Sequence, residues 1–191
     1  MKKRIYLAGP EVFLPDSIEI GRRKRELCER HGFTGHYPLD NMVRDEGHGI
    51  PLSRKIFDAN IELMKSCDFA IANLTPFRGP SADAGTVFEV GFLHGLGKAV
   101  FGYANVSGDY LGRTLSSVGG TETASGYLDR DGLDIEDFGL PDNLMVIHAL
   151  AGYAMPEADR KSSCKDMWRD LKQFEACLRM AAHFSLSAKM G

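Results

Sequence analysis

Apolar residues in this chain fall into short blocks separated by polar, glycine-bearing stretches. Ile5-Tyr6-Leu7-Ala8 is an unbroken apolar run halted by Gly9-Pro10, the pattern of a short buried strand. Residues 17–31 carry Ile18, Ile20, Leu27 and Cys28 among charged neighbours and predict an amphipathic helix. Asp16 or Ser17 would cap its start and Gly32 its end. His36-Tyr37-Pro38-Leu39-Asp40 reads as a weak strand running into a polar loop, 41–51. A second helix is expected from Ser53, as cap, through Met64, with Ile56, Phe57, Ile61 and Met64 on its apolar face. Residues 69–74 and 99–104 are further buried strands, and 86–96 a helix between them, closed by Gly97.

Strand and helix alternate, so a parallel sheet with helices on both faces is the expected α/β architecture. The loops after Leu7, Asp40, Leu74 and Ala104 should then meet in one cleft at the carboxyl ends of the strands. Residues 105–142 read as long and irregular. The stretch 143–150 fits a strand through Val146 and Ile147, or a helix through Leu144, Ile147 and Leu150. A last helix is expected over 163–183, carrying Trp168 and a stripe of Met167, Leu171, Phe174, Leu178 and Ala182, suited to core or subunit contact.

The chain has 191 residues, the size of one domain, so residues 1–191 are read as a single unit. Its net charge of −3 argues against a protein built to hold a nucleic-acid polymer. The basic run Arg22–Arg25 is read as a solvated helix face. Cys28, Cys67, Cys164 and Cys177 form no C-x-x-C pair, and the six histidines show no ligand spacing, so no metal or other cofactor is expected. No apolar stretch is long enough for a secretory leader or a membrane span; a cytoplasmic protein with free thiols is the expectation.

The chemistry concentrates in Phe77-Arg78-Gly79-Pro80-Ser81-Ala82-Asp83-Ala84-Gly85-Thr86-Val87-Phe88-Glu89. Asp83 lies just before the third helix and Glu89 in its second turn. Asp83 alone could be a helix-end charge, and Glu89 an ordinary helix former. Two features favour chemistry. The helix is so apolar that most of it should be buried, which asks for a reason behind Glu89. Its start also lies at the carboxyl end of a strand. Two carboxyls in one cleft can divide labour. One, kept ionised by hydrogen bonds, attacks a carbon; the other, with a raised pKa, protonates the leaving group. Gly91 and Gly95 share a helical face and read as packing.

Several blocks together resemble the nucleoside 2-deoxyribosyltransferases. They are Ile5-Tyr6-Leu7-Ala8-Gly9-Pro10-x-x-Phe13, Pro38-Leu39-Asp40-Asn41, Asp68 to Leu74, Phe77-Arg78-Gly79, Asp83-x-Gly85-Thr86-x-x-Glu89-x-Gly91 and Phe138-Gly139-Leu140-Pro141-x-Asn143-Leu144-Met145, in order over 5–145. The resemblance implies a flavodoxin-like (Rossmann-type) sheet of four or five strands, 2′-deoxynucleosides and free nucleobases as substrates, and a retaining ping-pong transfer. In that reading Glu89 attacks C1′, Asp83 protonates the departing base, and Tyr6 orients Glu89. On spacing alone, Tyr6 fits a core strand aromatic equally well. Phe13 would stack on the base, and Asp40, Asn41 and Met42 line its pocket. Gly9, Asn60, Phe77, Arg78 and Gly85 belong to the same substrate-facing set. Asn60 stands where many relatives carry Asp, which removes a charge but keeps hydrogen bonding. Asn143 and Met145 match a block that reaches into a neighbouring subunit's site, so a homo-oligomer is implied, with a helical turn there. A related hydrolase acting on 2′-deoxynucleoside 5′-monophosphates is the main alternative. The acidic first loop, Glu11 and Asp16, speaks against a phosphate, while Ser81 and Arg78 could meet one. A non-enzymatic nucleotide-binding module, in which Glu89 is dispensable, is a third reading.

Overall fold

A computed structural model of the chain describes residues 2–38, 51–157 and 167–187. Asp40, Asn41 and Met42, together with His48 and Cys164, lie outside the described residues. Five parallel strands form the central sheet: β1 (Arg4–Ala8), β2 (Thr34–His36), β3 (Phe69–Asn73), β4 (Ala99–Tyr103) and a last strand, β8 (Gly152–Ala154), in the order β2-β1-β3-β4-β8. This is the flavodoxin-like order, whose direction of winding reverses between β1 and β3. Ligands in such sheets sit at that switch point, outside the carboxyl ends of the strands.

The expected helices are present on both faces. Ile5 and Leu7 of β1 point toward α1 (Ser17–Arg30) and α6 (Lys172–Ser187), into a core completed by Phe101, Tyr103, Phe174, Cys177 and Leu178. Tyr6 and Ala8 point the other way, toward α2 (Leu52–Ser66) and α3 (Ala84–Gly95), among Met64, Ala70, Val90 and Leu93. The alternation within one strand therefore sorts the side chains between two cores.

Several expectations need correction. β2 sits at Thr34–His36, earlier than the 36–40 block, because its pairing with β1 runs Arg4–Thr34 to Tyr6–His36. Neither expected side-chain cap operates at the first two helices. Asp16 gives its carboxylate to Arg169 instead of to α1, and α2 begins at Leu52 after Pro51 without a capping side chain. Ile18, Ile56 and Phe57 are exposed, while Leu63 and Met64 do the burying in α2. Residues 105–142 are not irregular: they hold α4 (Tyr110–Val118) and a small antiparallel sheet of β5 (Thr121–Thr123), β6 (Gly126–Leu128) and β7 (Asp134–Ile135). These pieces are short and half-exposed, so they lack the periodic apolar signal that marks longer elements. The 143–150 stretch resolves to a helix, α5 (Leu144–His148). The unexpected β8 follows it, too short to announce itself. The final helix starts at Lys172, so Trp168 precedes it in a turn.

The polar helix face predicted for Arg22–Arg25 is also interrupted. Lys24 is 1% exposed, one turn beyond buried Ile20. Its ammonium meets the fully buried Glu11 at 2.5 Å. Burying two charges is tolerable only when they are paired and further hydrogen-bonded. Glu11 Oε1 accepts additionally from Asn73 Nδ2 (2.8 Å) and from the Tyr103 hydroxyl (2.9 Å). The pair thereby anchors the 3-10 turn Pro10–Phe13, which follows β1, against α1 and the ends of β3 and β4.

Candidate active site at the carboxyl end of the sheet

Asp83 caps α3. Its Oδ2 accepts from the Thr86 amide at 3.0 Å and from the Thr86 hydroxyl at 3.2 Å. The helix-end reading of Asp83 is therefore correct as far as it goes, and it fixes where the carboxylate points. A Cβ at the neighbouring Gly85 would fall 3.0 Å from Asp83 Oδ2, so a side chain there would push the carboxylate aside by a few tenths of an ångström. Six residues after Asp83, Glu89 projects from α3 toward β1, where the fully buried Tyr6 hydroxyl donates a short hydrogen bond to Glu89 Oε1. Tyr6 is thus a core strand aromatic and a carboxylate partner at once. Its phenol pKa is driven far above the ordinary range, chiefly by burial and then by the Glu89 charge, so it acts only as a donor.

Glu89 has its pKa raised to about 7. Burial is the main cause; the Tyr6 donor pulls the other way, and the nearby Asp83 charge adds to the rise. The raised pKa falls on Glu89, the carboxyl expected to attack. One phenol donor does not offset desolvation and a like charge. The premise that α3 is mostly buried also fails: Thr86, Val90 and Leu93 face the sheet, whereas Phe88 is 49% exposed. Phe57 of α2 and Phe92 pack beside Phe88, at ring separations of 5.9 and 6.2 Å.

Gly9 ends β1 with φ +154° and ψ 161°, a region open essentially only to glycine. A Cβ there would also lie 2.2 Å from Glu11 Oε2. The turn that follows presents Phe13, 58% exposed, and its ring stacks on Phe77 at 5.5 Å and 11°. Phe77 comes from the loop after β3, so two of the loops expected to share a cleft do so. Arg78 adopts φ 57°, uncommon for a residue with a side chain. It lays its guanidinium over Phe77 at 4.7 Å and Phe13 at 5.5 Å. Asn60 is half-buried on α2, which packs against β1 and α3.

Asn143 caps α5, its Oδ1 accepting from the Met145 amide at 3.0 Å, while its Nδ2 donates to Glu136 at 2.7 Å. Both polar ends of Asn143 are therefore engaged within its own chain. Met145 is 74% exposed and lines a groove of 410 Å³ with Val87, Gly91 and His94 of α3.

Sequence reasoning passed over Asp142. Its buried carboxylate accepts from the Ser81 hydroxyl, from the Ala82 amide at 3.0 Å and from the Asn143 amide at 2.7 Å. It ties the loop carrying Asp83 to the start of α5. It also alters the phosphate argument. Glu11 and Asp16 are neutralised by Lys24 and Arg169, so the charge objection drawn from the first loop does not hold. Ser81 is committed to a carboxylate, whereas Arg78 touches two aromatic rings through the face of its guanidinium, which leaves its in-plane N–H donors able to meet an anion. Among the described residues no cluster of His, Cys, Asp and Glu could hold a metal ion, and no helix is long and apolar enough to cross a membrane.

The model of the nucleoside 2-deoxyribosyltransferase family matches residues 5–145. An uncharacterised protein of Schizosaccharomyces pombe is 33% identical over 156 residues, 74% of each chain. The structure of a 2-deoxyribosyltransferase from Leishmania mexicana superposes with a TM-score of 0.64 at 30% identity, covering 95% of this chain and 97% of the other. A 2-deoxyribosyltransferase from Bacillus psychrosaccharolyticus shares the fold at a TM-score of 0.51 and 20% identity, over 79% of this chain and 85% of its own. The family match covers every quoted motif, including the strand that carries Tyr6 and the helix that carries Glu89: the chain belongs to the nucleoside 2-deoxyribosyltransferase family.

Proposed function

We propose that the chain transfers 2-deoxyribose from the base of one 2′-deoxynucleoside to another free base, through a covalent deoxyribosyl–Glu89 intermediate. The observation that carries this is the Tyr6–Glu89–Asp83 constellation: a half-buried carboxylate held by one phenol, with a second carboxylate close enough to perturb it. In the first half-reaction Glu89 Oε attacks C1′ as the C1′–N bond to the base breaks, and Asp83 delivers a proton to the leaving nitrogen. In the second, Asp83 takes a proton from the incoming base, whose nitrogen displaces Glu89 from C1′. Each displacement inverts C1′, so the sequence retains configuration. The Tyr6 donor spreads the carboxylate charge and keeps one Glu89 oxygen away from the sugar, leaving the other to attack.

A nucleobase is the group that suits the exposed ring of Phe13 beside Phe77. The exposed Phe57, Phe88 and Met145 on the α2–α3–α5 side support assembly with further copies of the chain, bringing Met145 to a neighbour's site. A role in nucleoside salvage inside the cytoplasm fits such a transfer.

Product analysis tests the reading. Thymidine is incubated with and without adenine, and deoxyinosine with adenine serves as the purine pair. New deoxynucleoside that forms only when an acceptor base is present supports transfer. Free deoxyribose formed at the same rate with or without acceptor identifies a hydrolase and removes the transfer reading.

A further inference from the structure

We infer that Trp168 is a nucleobase-contacting residue that sets the preference for purines, an inference that rests on the transferase reading above. The indole stands edge-on to Phe77, with ring centres 5.7 Å apart and planes at 88°. Phe77 in turn lies nearly parallel to Phe13. Phe13 and Phe77 lie parallel with the Arg78 guanidinium over both, and the indole plane stands perpendicular to them, so a base stacking on the exposed Phe13 has the indole as a nearby wall. None of the three is fully buried. A bicyclic base is larger than a pyrimidine and reaches further across such a surface, so the added wall favours it.

The three rings are held from beneath by one continuous chain of buried polar contacts. Glu11 accepts from Asn73; Asn73 Oδ1 accepts from the Thr75 amide and hydroxyl; Thr75 Oγ1 accepts from the Asn105 amide at 3.0 Å. Asn105 Nδ2 then donates to the backbone carbonyls of Met167 (2.6 Å) and Asp170 (2.9 Å), on either side of Trp168. Glu11 belongs to the turn bearing Phe13, and Thr75 to the loop bearing Phe77. A second tether, Arg169 to Asp16 at 2.6 Å, joins the Trp168 turn to the segment just after Phe13. Three loops distant in sequence are thus locked at the carboxyl end of the sheet, which is where the switch point places a ligand. The links converge on the turn that positions the indole, although Glu11 Oε2 and Asn105 Oδ1 are buried without a partner among the described residues.

Trp168 is the chain's single tryptophan, so its emission reports on this one position. The test is a fluorescence titration of the intact protein with adenine, excited at the red edge of the indole band, beside calorimetric titration with the same base. Saturable quenching that follows the calorimetric isotherm is the expected result. Calorimetric binding with unchanged emission, or no binding at all, overturns the proposal, whatever becomes of transfer. In the transfer assay, Trp168→Ala should raise KM for a purine acceptor by about tenfold. It should change kcat much less and a pyrimidine acceptor's KM less, and Trp168→Phe should recover part of the loss. A purely structural role would instead lower kcat for all bases alike, which would also count against the inference. Should Trp168→Ala not fold, the titration of the unaltered protein decides. Failure of transfer with every donor and acceptor removes the transferase reading, and the titration still judges Trp168 separately.

Discussion

The hydroxyl of Tyr6 and the carboxylate of Glu89 share a short hydrogen bond across 83 positions of sequence, joining β1 to α3 at the switch point of the sheet. Tyr6 lowers the Glu89 pKa against the combined push of burial and Asp83. Tyr6→Phe keeps the ring in its core site and deletes only the donor. The Glu89 pKa should then rise above about 7, and the acidic limb of the kcat/KM–pH profile should move to higher pH. An unmoved limb, measured over a full pH series, would mean that Glu89 ionisation does not control the reaction.

Glu89 also makes stability depend on pH. Its folded-state pKa is raised from the ordinary carboxyl value of 4.5 to about 7, so between these values the folded chain binds more protons than the unfolded one. Stability is therefore lost as pH rises through that window. Glu89→Gln removes the ionisation. Compared by urea unfolding, the variant should match or trail the parent at pH below 4.5 and gain on it steadily up to pH above 7. A constant difference across the window would contradict the assignment.

Asp83 combines two duties that substitution can separate. Asparagine caps helices about as well as aspartate, so Asp83→Asn should leave thermal unfolding nearly unchanged. It cannot deliver a proton to a leaving base, and turnover should drop by roughly 10²- to 10⁴-fold. The loss should be smallest for donors whose bases leave readily. Equal losses for good and poor leaving groups would assign Asp83 a structural role only.

Most of the frame was readable from local patterns, because the strands around Tyr6, Ile71 and Phe101 and the helix around Glu89 are long enough, and apolar enough, to carry a period. Glu89 and Asp83 stood out by position relative to a strand end. What stayed hidden depends on partners far away in the chain. Lys24 looks like one more basic residue of a charged helix until Glu11, from another element, shares its burial; its spacing from Ile20 was the available signal. Asp142 shows no pattern of its own, since its three donors come from the backbone and from Ser81. Trp168 reads as part of a helix face because apolar residues continue past it, whereas Asn105 holds it in a preceding turn. The raised pKa of Glu89 likewise arises mainly from burial where α3 packs on the sheet, with a smaller push from Asp83, and has no sequence signature.

The exposed aromatic face of α3 bears on assembly. If Phe88 and Met145 are covered by a second copy, the chain should sediment at a multiple of its 21.0 kDa mass. Phe88→Asp, which places a charge on that face, should shift it toward the single-chain mass. A parent protein that sediments as one chain, or a variant that assembles unchanged, would show that this face is not the contact.

The central claim is that Glu89 becomes covalently attached to the sugar, and trapping tests it most directly. A 2′-fluoro-2′-deoxynucleoside carries an electron-withdrawing group next to C1′, which slows both formation and breakdown of the sugar–enzyme bond; a reactive leaving base restores the first step. The account predicts a stoichiometric mass increase equal to the fluorodeoxyribosyl group, mapped by peptide sequencing to Glu89 and absent in Glu89→Gln. An adduct on another residue, or none from a protein that turns over the natural nucleoside, would contradict it.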